Sequence, residues 1–160
     1  MLAKDIRQYI IAPTLKEIGL WSESAEILVY GTGWVETAYS YLVQIGHPSQ
    51  GGYGPFEDEP IDFNDLLSWL RFFQNKQILS KALISCGYDE LPTDINRLIS
   101  DWKLATICCR LHYYRAPNAL PDANSAAQMA QYHVLHYNQG GKADVTKNTV
   151  LFQEIIDGSK

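Results

Sequence analysis

From Lys16 to Arg71 no lysine or arginine intervenes, although nine acids fall in that stretch: Glu17, Glu23, Glu26, Glu36, Glu57, Asp58, Glu59, Asp62 and Asp65. The remaining segments hold the basic residues, and the net charge over 160 residues is −5. General nucleic-acid binding requires a basic stripe, so this balance argues against it. Cysteine is sparse. Cys86, Cys108 and Cys109 are an odd number and two are adjacent, which excludes a disulfide framework and reads as reduced core thiols. No Cys-x-x-Cys or His-x-x-x-His spacing accompanies them, so no metal site is expected. Neither a Gly-x-x-x-x-Gly-Lys-Ser/Thr phosphate loop nor a Gly-x-Ser-x-Gly nucleophile elbow occurs. There is no long apolar run, so neither a signal peptide nor a membrane-spanning segment is expected. The chain reads as one made in a reducing cytoplasm.

What is present is an ordinary globular composition, 46% apolar and 19% charged, over a length that supports one domain spanning residues 1–160. β-type alternation never exceeds four residues, so the expected class is all-α with little or no β-sheet. The spacing predicts a helix over residues 3–18, broken near Pro13, and then Trp21 as a core anchor. Ser22 or Ser24 caps a second helix reaching about Val43. Asp62 caps a third, whose Leu66, Leu67, Trp69, Leu70, Phe72 and Phe73 all read as core. Further helices are expected at residues 76–85, from Thr93 through His112 as one long element, at 125–137, and at 147–156.

The stretch that organises the chain is residues 29–60. Its first half places one carboxylate, Glu36, on a helix face shared with Val29, Thr32, Gly33 and Ser40. Gly31 and Gly33 each cost about 1 kcal/mol against alanine in a helix interior. Two reasons would justify them: another helix crossing there, or a groove opening in front of Glu36. The second half, residues 46–60, is a loop punctuated by Gly51, Gly52, Gly54, Pro55 and Pro60. Glu36 lies in a segment without basic residues and beside loop acids. Desolvation and nearby negative charge favour a protonated carboxyl, the form a glycosidase general acid needs. His133-x-x-His136 reads as two surface or groove residues, not as ligands.

Three motifs, Glu36-Thr-Ala-Tyr-Ser40, Gly52-Tyr-Gly-Pro-Phe-Glu-Asp-Glu-Pro60 and His136-Tyr-Asn-Gln-Gly140, resemble the soluble lytic transglycosylase family of the lysozyme-like fold. That family has Glu-Ser, then Gly-x-x-Gly-Leu-Met-Gln-x-x-Pro, then a distant Tyr-Asn-x-Gly. More particularly, the chain is similar to short phage proteins of this type, over about residues 25–140. The resemblance implies a lysozyme-like (goose-type) helical domain with a Gly-rich cleft loop. It places the catalytic acid on Glu36 and its hydrogen-bonding tyrosine on Tyr137. The implied saccharide-binding residues are Thr37, Tyr53, Gly54, Phe56, Glu57, His136 and Asn138, with Thr37 fixing the loop through its hydroxyl.

It also implies a one-carboxyl cleavage of peptidoglycan glycan strands to a 1,6-anhydro sugar, without cofactor or metal. The setting would be a phage virion penetrating the wall during genome entry, with tail or portal proteins as neighbours and no membrane insertion. Two departures stand out: Pro55-Phe56-Glu57 replaces Leu-Met-Gln, and Asp58 occupies an aliphatic position. A glutamate cannot donate a hydrogen bond when ionised, and three consecutive acids repel an anionic wall. The alternative is therefore a structural virion protein that keeps the fold without the activity. Exposed aromatics such as Tyr113 and Tyr114 would then be its contacts.

Overall fold

The computed structural model describes residues 3–44, 51–138 and 143–160. Gly46, His47 and Pro48 of the expected loop, and Gln139 and Gly140 of the distal motif, lie outside these. Among the described residues the chain is helical with almost no strand, as the composition predicts, and no helix is long and apolar enough to cross a membrane.

An N-terminal rod joins α1 (Ala3–Ile6), a π-helical segment (Arg7–Ile11) and α2 (Ala12–Glu17). The expected break at Pro13 does not occur. Proline lacks an N–H and its ring crowds the carbonyl four residues back, and the widened turn ahead of it absorbs both. There the N–H of Ala12 donates to the carbonyl of Arg7, five residues back. Trp21 is not a core anchor. It is exposed, donating its indole N–H to Glu26 at 2.7 Å, with Lys16 over its ring.

α3 (Glu23–Glu36) starts on Ser22, whose hydroxyl accepts from the N–H of Ala25. It does not reach Val43. Ala38 and Tyr39 take left-handed φ of 49° and 54°, which ends the helix at Glu36. The Tyr39 ring then folds back beneath the helix, where its hydroxyl donates to the carbonyl of Tyr30. Gly31 and Gly33 are explained by packing and not by a groove. A Cβ at Gly31 would stand 2.1 Å from the Phe152 ring, and one at Gly33 would stand 2.3 Å from the Tyr39 ring.

α4 (Pro60–Leu70) begins with proline at its first turn and Glu59 as N-cap, so Asp62 is a first-turn acid and not the cap. Leu66, Leu67 and Leu70 are core, but Phe72 and Phe73 lie beyond the helix end and are exposed. α5 (Lys76–Cys86) ends on Gly87 in the left-handed region. The long helix expected after Thr93 is two helices, α6 (Arg97–Ser100) and α7 (Trp102–Tyr114). Asp101 adopts an extended conformation between them and its carboxylate accepts from the N–H of Leu104, restarting the chain.

α7 is the central post. Leu104, Ala105, Ile107, Cys108, Cys109 and Leu111 are buried on it, and the N-terminal rod, α3, α4, α5 and α6 pack around it. Each fully buried leucine or isoleucine contributes about 1.5–3 kcal/mol. The three cysteines are free; burial pushes Cys86 up to about 12 and holds Cys108 and Cys109 well above the usual thiol range. α8 (Ala126–His136) and α9 (Val145–Ile156), capped by Ser125 and Asp144, lie against each other and close the side of α3 that carries Glu36.

Candidate functional site

Because α3 stops at Glu36, this carboxylate stands at a helix end and not along a helix flank. The chain beyond it turns into a flap of residues 42–44 and 51–59. Its backbone pairs Gln44 with Gly52, Gly54 with Leu42, and Tyr53 with Asp58. Gly54 has φ 74°, and a Cβ there would meet the carbonyl oxygen of Leu98 at 2.7 Å, so only glycine lets the flap seat against α6. The Thr37 hydroxyl has one hydrogen facing two carbonyls, Gly33 at 3.1 Å and Pro55 at 2.9 Å, and it accepts from the N–H of Tyr39. Thr37 thus ties the end of α3 to the flap, the role the motif implies for it.

Glu36 opens onto a cleft of about 1220 Å³. The walls come from the ends of α3 and α7, the flap, the start of α4, the end of α8 and the first turns of α9. Its side chain is 11% exposed and neither dives into apolar packing nor meets a guanidinium. Oε1 accepts from Asn138 Nδ2 at 3.3 Å and lies 3.0 Å from His133 Nε2. An amide nitrogen only donates, so Oε1 is an acceptor here, and His133 fits as its second donor. The other ring nitrogen of His133, Nδ1, is buried without a partner. We therefore assign the neutral tautomer with hydrogen on Nε2, since a hydrogen on Nδ1 would be an unsatisfied buried donor. A proton carried by Glu36 then belongs on Oε2.

Tyr137 does not orient Glu36 through its hydroxyl. That group donates to the carbonyl of Phe56 at 2.9 Å, pinning the flap. The ring is stacked on His133 (centroids 5.8 Å apart) and meets His112 edge-on at 5.7 Å. His112 Nε2 in turn contacts both oxygens of Asp58, at 3.1 and 3.2 Å. Burial alone would lower the pKa of His112, but the Asp58 carboxylate outweighs it and the net shift is upward. Asp58, which departs from the motif's aliphatic residue, thus has a specific partner on α7.

Of the residues expected at the site, Glu36, Glu57, His136, Tyr137 and Asn138 line the cleft. The others act from behind it. Thr37 and Phe56 are buried, Gly54 is packed on Leu98, and Tyr53 is half-buried against the core and bridged through its backbone. Tyr113 is a core residue hydrogen-bonded to Thr32, while Tyr114 is exposed. His112 was not expected there, and His133, expected as a surface or groove residue, is fully buried behind Glu36. The spacing held a signal for His133: it sits one turn before Tyr137 on the same helix face, so placing Tyr137 near Glu36 carries His133 there too. His112 had none beyond lying on the inner side of its helix.

Among the described residues seven carboxylates line the cleft against two cations, Arg115 and Lys147. Asp65 is paired with Arg115, Asp58 with His112, and Asp144 caps α9. Burial, followed by the charges of Glu36 and Glu59, raises the pKa of Glu57 although Tyr41 lies beside it. The Tyr41 hydroxyl hydrogen goes instead to the backbone carbonyl of Glu36 at 2.8 Å, and Glu57 Oε1 is buried without a partner. Burial lowers the pKa of His136. No group of three or more metal-ligating side chains converges among the described residues. Comparisons with family models, curated proteins and solved structures return no match for this chain.

Proposed function

We propose that the chain is a glycan-cleaving enzyme of the lysozyme-like type that acts on peptidoglycan as a lytic transglycosylase, in a phage virion at the host wall. The observation that carries this reading is Glu36: one carboxyl at a helix end, open to a sugar-sized cleft, fixed on Oε1 by His133 and Asn138 and with no partner on Oε2 among the described residues. In the reaction Glu36 gives its proton to the glycosidic oxygen as the bond to the anomeric carbon breaks. The carboxylate then takes the proton of the sugar's 6-hydroxyl as that oxygen attacks the anomeric carbon. Glu36 is regenerated and a 1,6-anhydro end results, with no second carboxyl required. Thr37 and Tyr137 hold the flap at Pro55 and Phe56, which fixes the cleft shape around the reacting bond.

Purified protein is incubated with peptidoglycan and the products are read by mass spectrometry. Anhydro-muropeptides are expected, reduced by about 10²–10⁴-fold in Glu36→Gln. Equal product from both proteins, or none from either, sinks the reading. One observation favours a second, structural reading: adjacent Phe72 and Phe73 stand exposed past the end of α4. They would dock this domain on a virion neighbour, and the absence of product from wild-type protein favours that role.

A further inference from the structure

The acids lining the cleft are not equivalent. Three carboxylates, Glu57 and Glu59 on the flap and Asp62 in the first turn of α4, have no cation within ion-pair distance among the described residues. They follow closely in the chain and all three line the cleft. Elsewhere in the cleft the unsatisfied groups are His136 Nε2, which donates or accepts according to its tautomer, and two donors. Asn148 on α9 is only 5% exposed, and its Nδ2 is buried with no acceptor; the indole N–H of Trp34 on α3 is likewise unpartnered. A buried donor without an acceptor is destabilising, so a ligand that brings oxygen acceptors to these walls relieves it. A ligand that brings positive charge to the three carboxylates relieves their mutual repulsion. Burial raises the pKa of both Glu57 and Asp62, outweighing the opposing pull of Tyr41 on the first and of His112 and Arg115 on the second.

We infer that the preferred substrate is a glycan strand bearing free amino groups, a partly de-N-acetylated amino-sugar polymer whose ammonium groups face Glu57, Glu59 and Asp62 while its oxygens face Trp34 and Asn148. A fully acetylated strand supplies the acceptors without the charge. A basic peptide supplies the charge without the ring and hydroxyl oxygens. This assignment rests on the glycan reading of the Glu36 site and narrows its substrate class.

Binding and cleavage are measured separately so that the two proposals fail separately. Glu36→Gln protein, which holds substrate without turning it over, is titrated calorimetrically with glucosamine oligomers, N-acetylglucosamine oligomers of equal length and a lysine oligomer of equal charge. The glucosamine oligomer is expected to bind at least about tenfold more tightly than either. The margin over the acetylated oligomer should shrink as salt shortens the screening length from about 10 Å to about 3 Å between 0.1 and 1 M. Adding Glu59→Gln and Asp62→Asn should reduce the preference over the acetylated oligomer to about twofold, whereas Glu90→Gln, an exposed acid outside the cleft, should not. Equal affinity for the two sugars overturns the inference, and so does a lysine oligomer that binds as well as glucosamine. Wild-type protein is then assayed on peptidoglycan before and after chemical N-acetylation. Preferential binding without cleavage keeps this ligand assignment and removes the proposed activity, while cleavage that is indifferent to acetylation does the reverse.

Discussion

Two imidazole–carboxylate pairs flank the Tyr137 ring, and they are built inside out relative to each other. In the first, His133 is 0% exposed and stands behind Glu36, which is 11% exposed to the cleft. In the second, Asp58 is 5% exposed and lies beneath His112, which is 14% exposed. The contact distances, 3.0 and 3.1 Å, are nearly the same. The order of burial differs. A buried imidazole behind an accessible carboxyl presents an acid to a ligand, whereas a buried carboxylate under a more accessible imidazole fastens one element to another, here the flap to α7. Under the proposed function the two pairs divide labour between chemistry and closure, and substitutions should separate them.

The largest expected effect is on the first pair. His133→Leu removes the donor to Glu36 Oε1 while filling similar space, and turnover should fall about 10–100-fold, the scale of an acid displaced by about an ångström. Because His133 acts through Glu36, KM should change little. His133→Gln, which can still donate, should recover most of the loss. A variant that loses stability but keeps its turnover would reassign His133 to packing alone.

On the second pair the order of consequences reverses. Asp58→Asn leaves His112 without its carboxylate and loosens the flap, so stability should drop by about 1–2 kcal/mol. For a chain of this length that is roughly 2–8 °C in Tm. Turnover per folded molecule should change less than in His133→Leu. If Asp58→Asn is as stable as wild type, the idea that this pair clasps the flap is lost.

These roles explain which parts were legible in the sequence. Helix identity was, because Ser22, Ser125 and the apolar spacings of α4, α7 and α8 act locally. Glu36, Tyr137 and Asn138 were singled out because they stand in short motifs that resemble a family's, and the fold brings all three to one cleft. What escaped is non-local. The end of α3 at Glu36 depends on Tyr39 turning back under Gly33, a contact no helical period encodes. The exposure of Phe72 and Phe73 depends on where α4 stops, not on how apolar the run is. Glu36 was expected among acids with no basic neighbour because none is near in sequence, yet His133, 97 residues away, supplies the partner. Asp58 read as a departure from the motif until α7 brought His112 to it.

The second pair should also titrate. The groups facing His112 are Asp58, Asp62 and Arg115, and the carboxylates prevail, so its folded pKa lies above 6.5. Folded protein therefore binds this proton more tightly than unfolded protein does. The stabilisation is complete below about pH 6.5 and is lost as pH rises through the folded value. Wild type should exceed His112→Asn in Tm at pH 6, with the gap narrowing toward pH 9. A gap that widens with pH would reverse the sign of the interaction.

The smallest effect expected falls on Glu57, next to Asp58 in sequence but opposite to it in sign. Its pKa is raised above 4.5 chiefly by burial, and secondarily by the charges of Glu36 and Glu59. Ionised Glu57 therefore works against the fold, and its favourable contribution, present below about pH 4.5, is lost as pH rises through the folded value. Glu57→Gln should be more stable than wild type at pH 7, and the difference should vanish near pH 4 in denaturant titrations. Adding Glu36→Gln to both proteins should reduce the pH 7 gap without closing it, because the burial of Glu57 persists when the neighbouring charge is gone. Neighbouring flap acids would then have opposite signs at neutral pH, Asp58 stabilising through its histidine and Glu57 destabilising for want of a cation. A Glu57→Gln protein less stable than wild type at pH 7 would mean that Glu57 has a partner in the fold, and would remove it from the row of acids assigned to bind substrate.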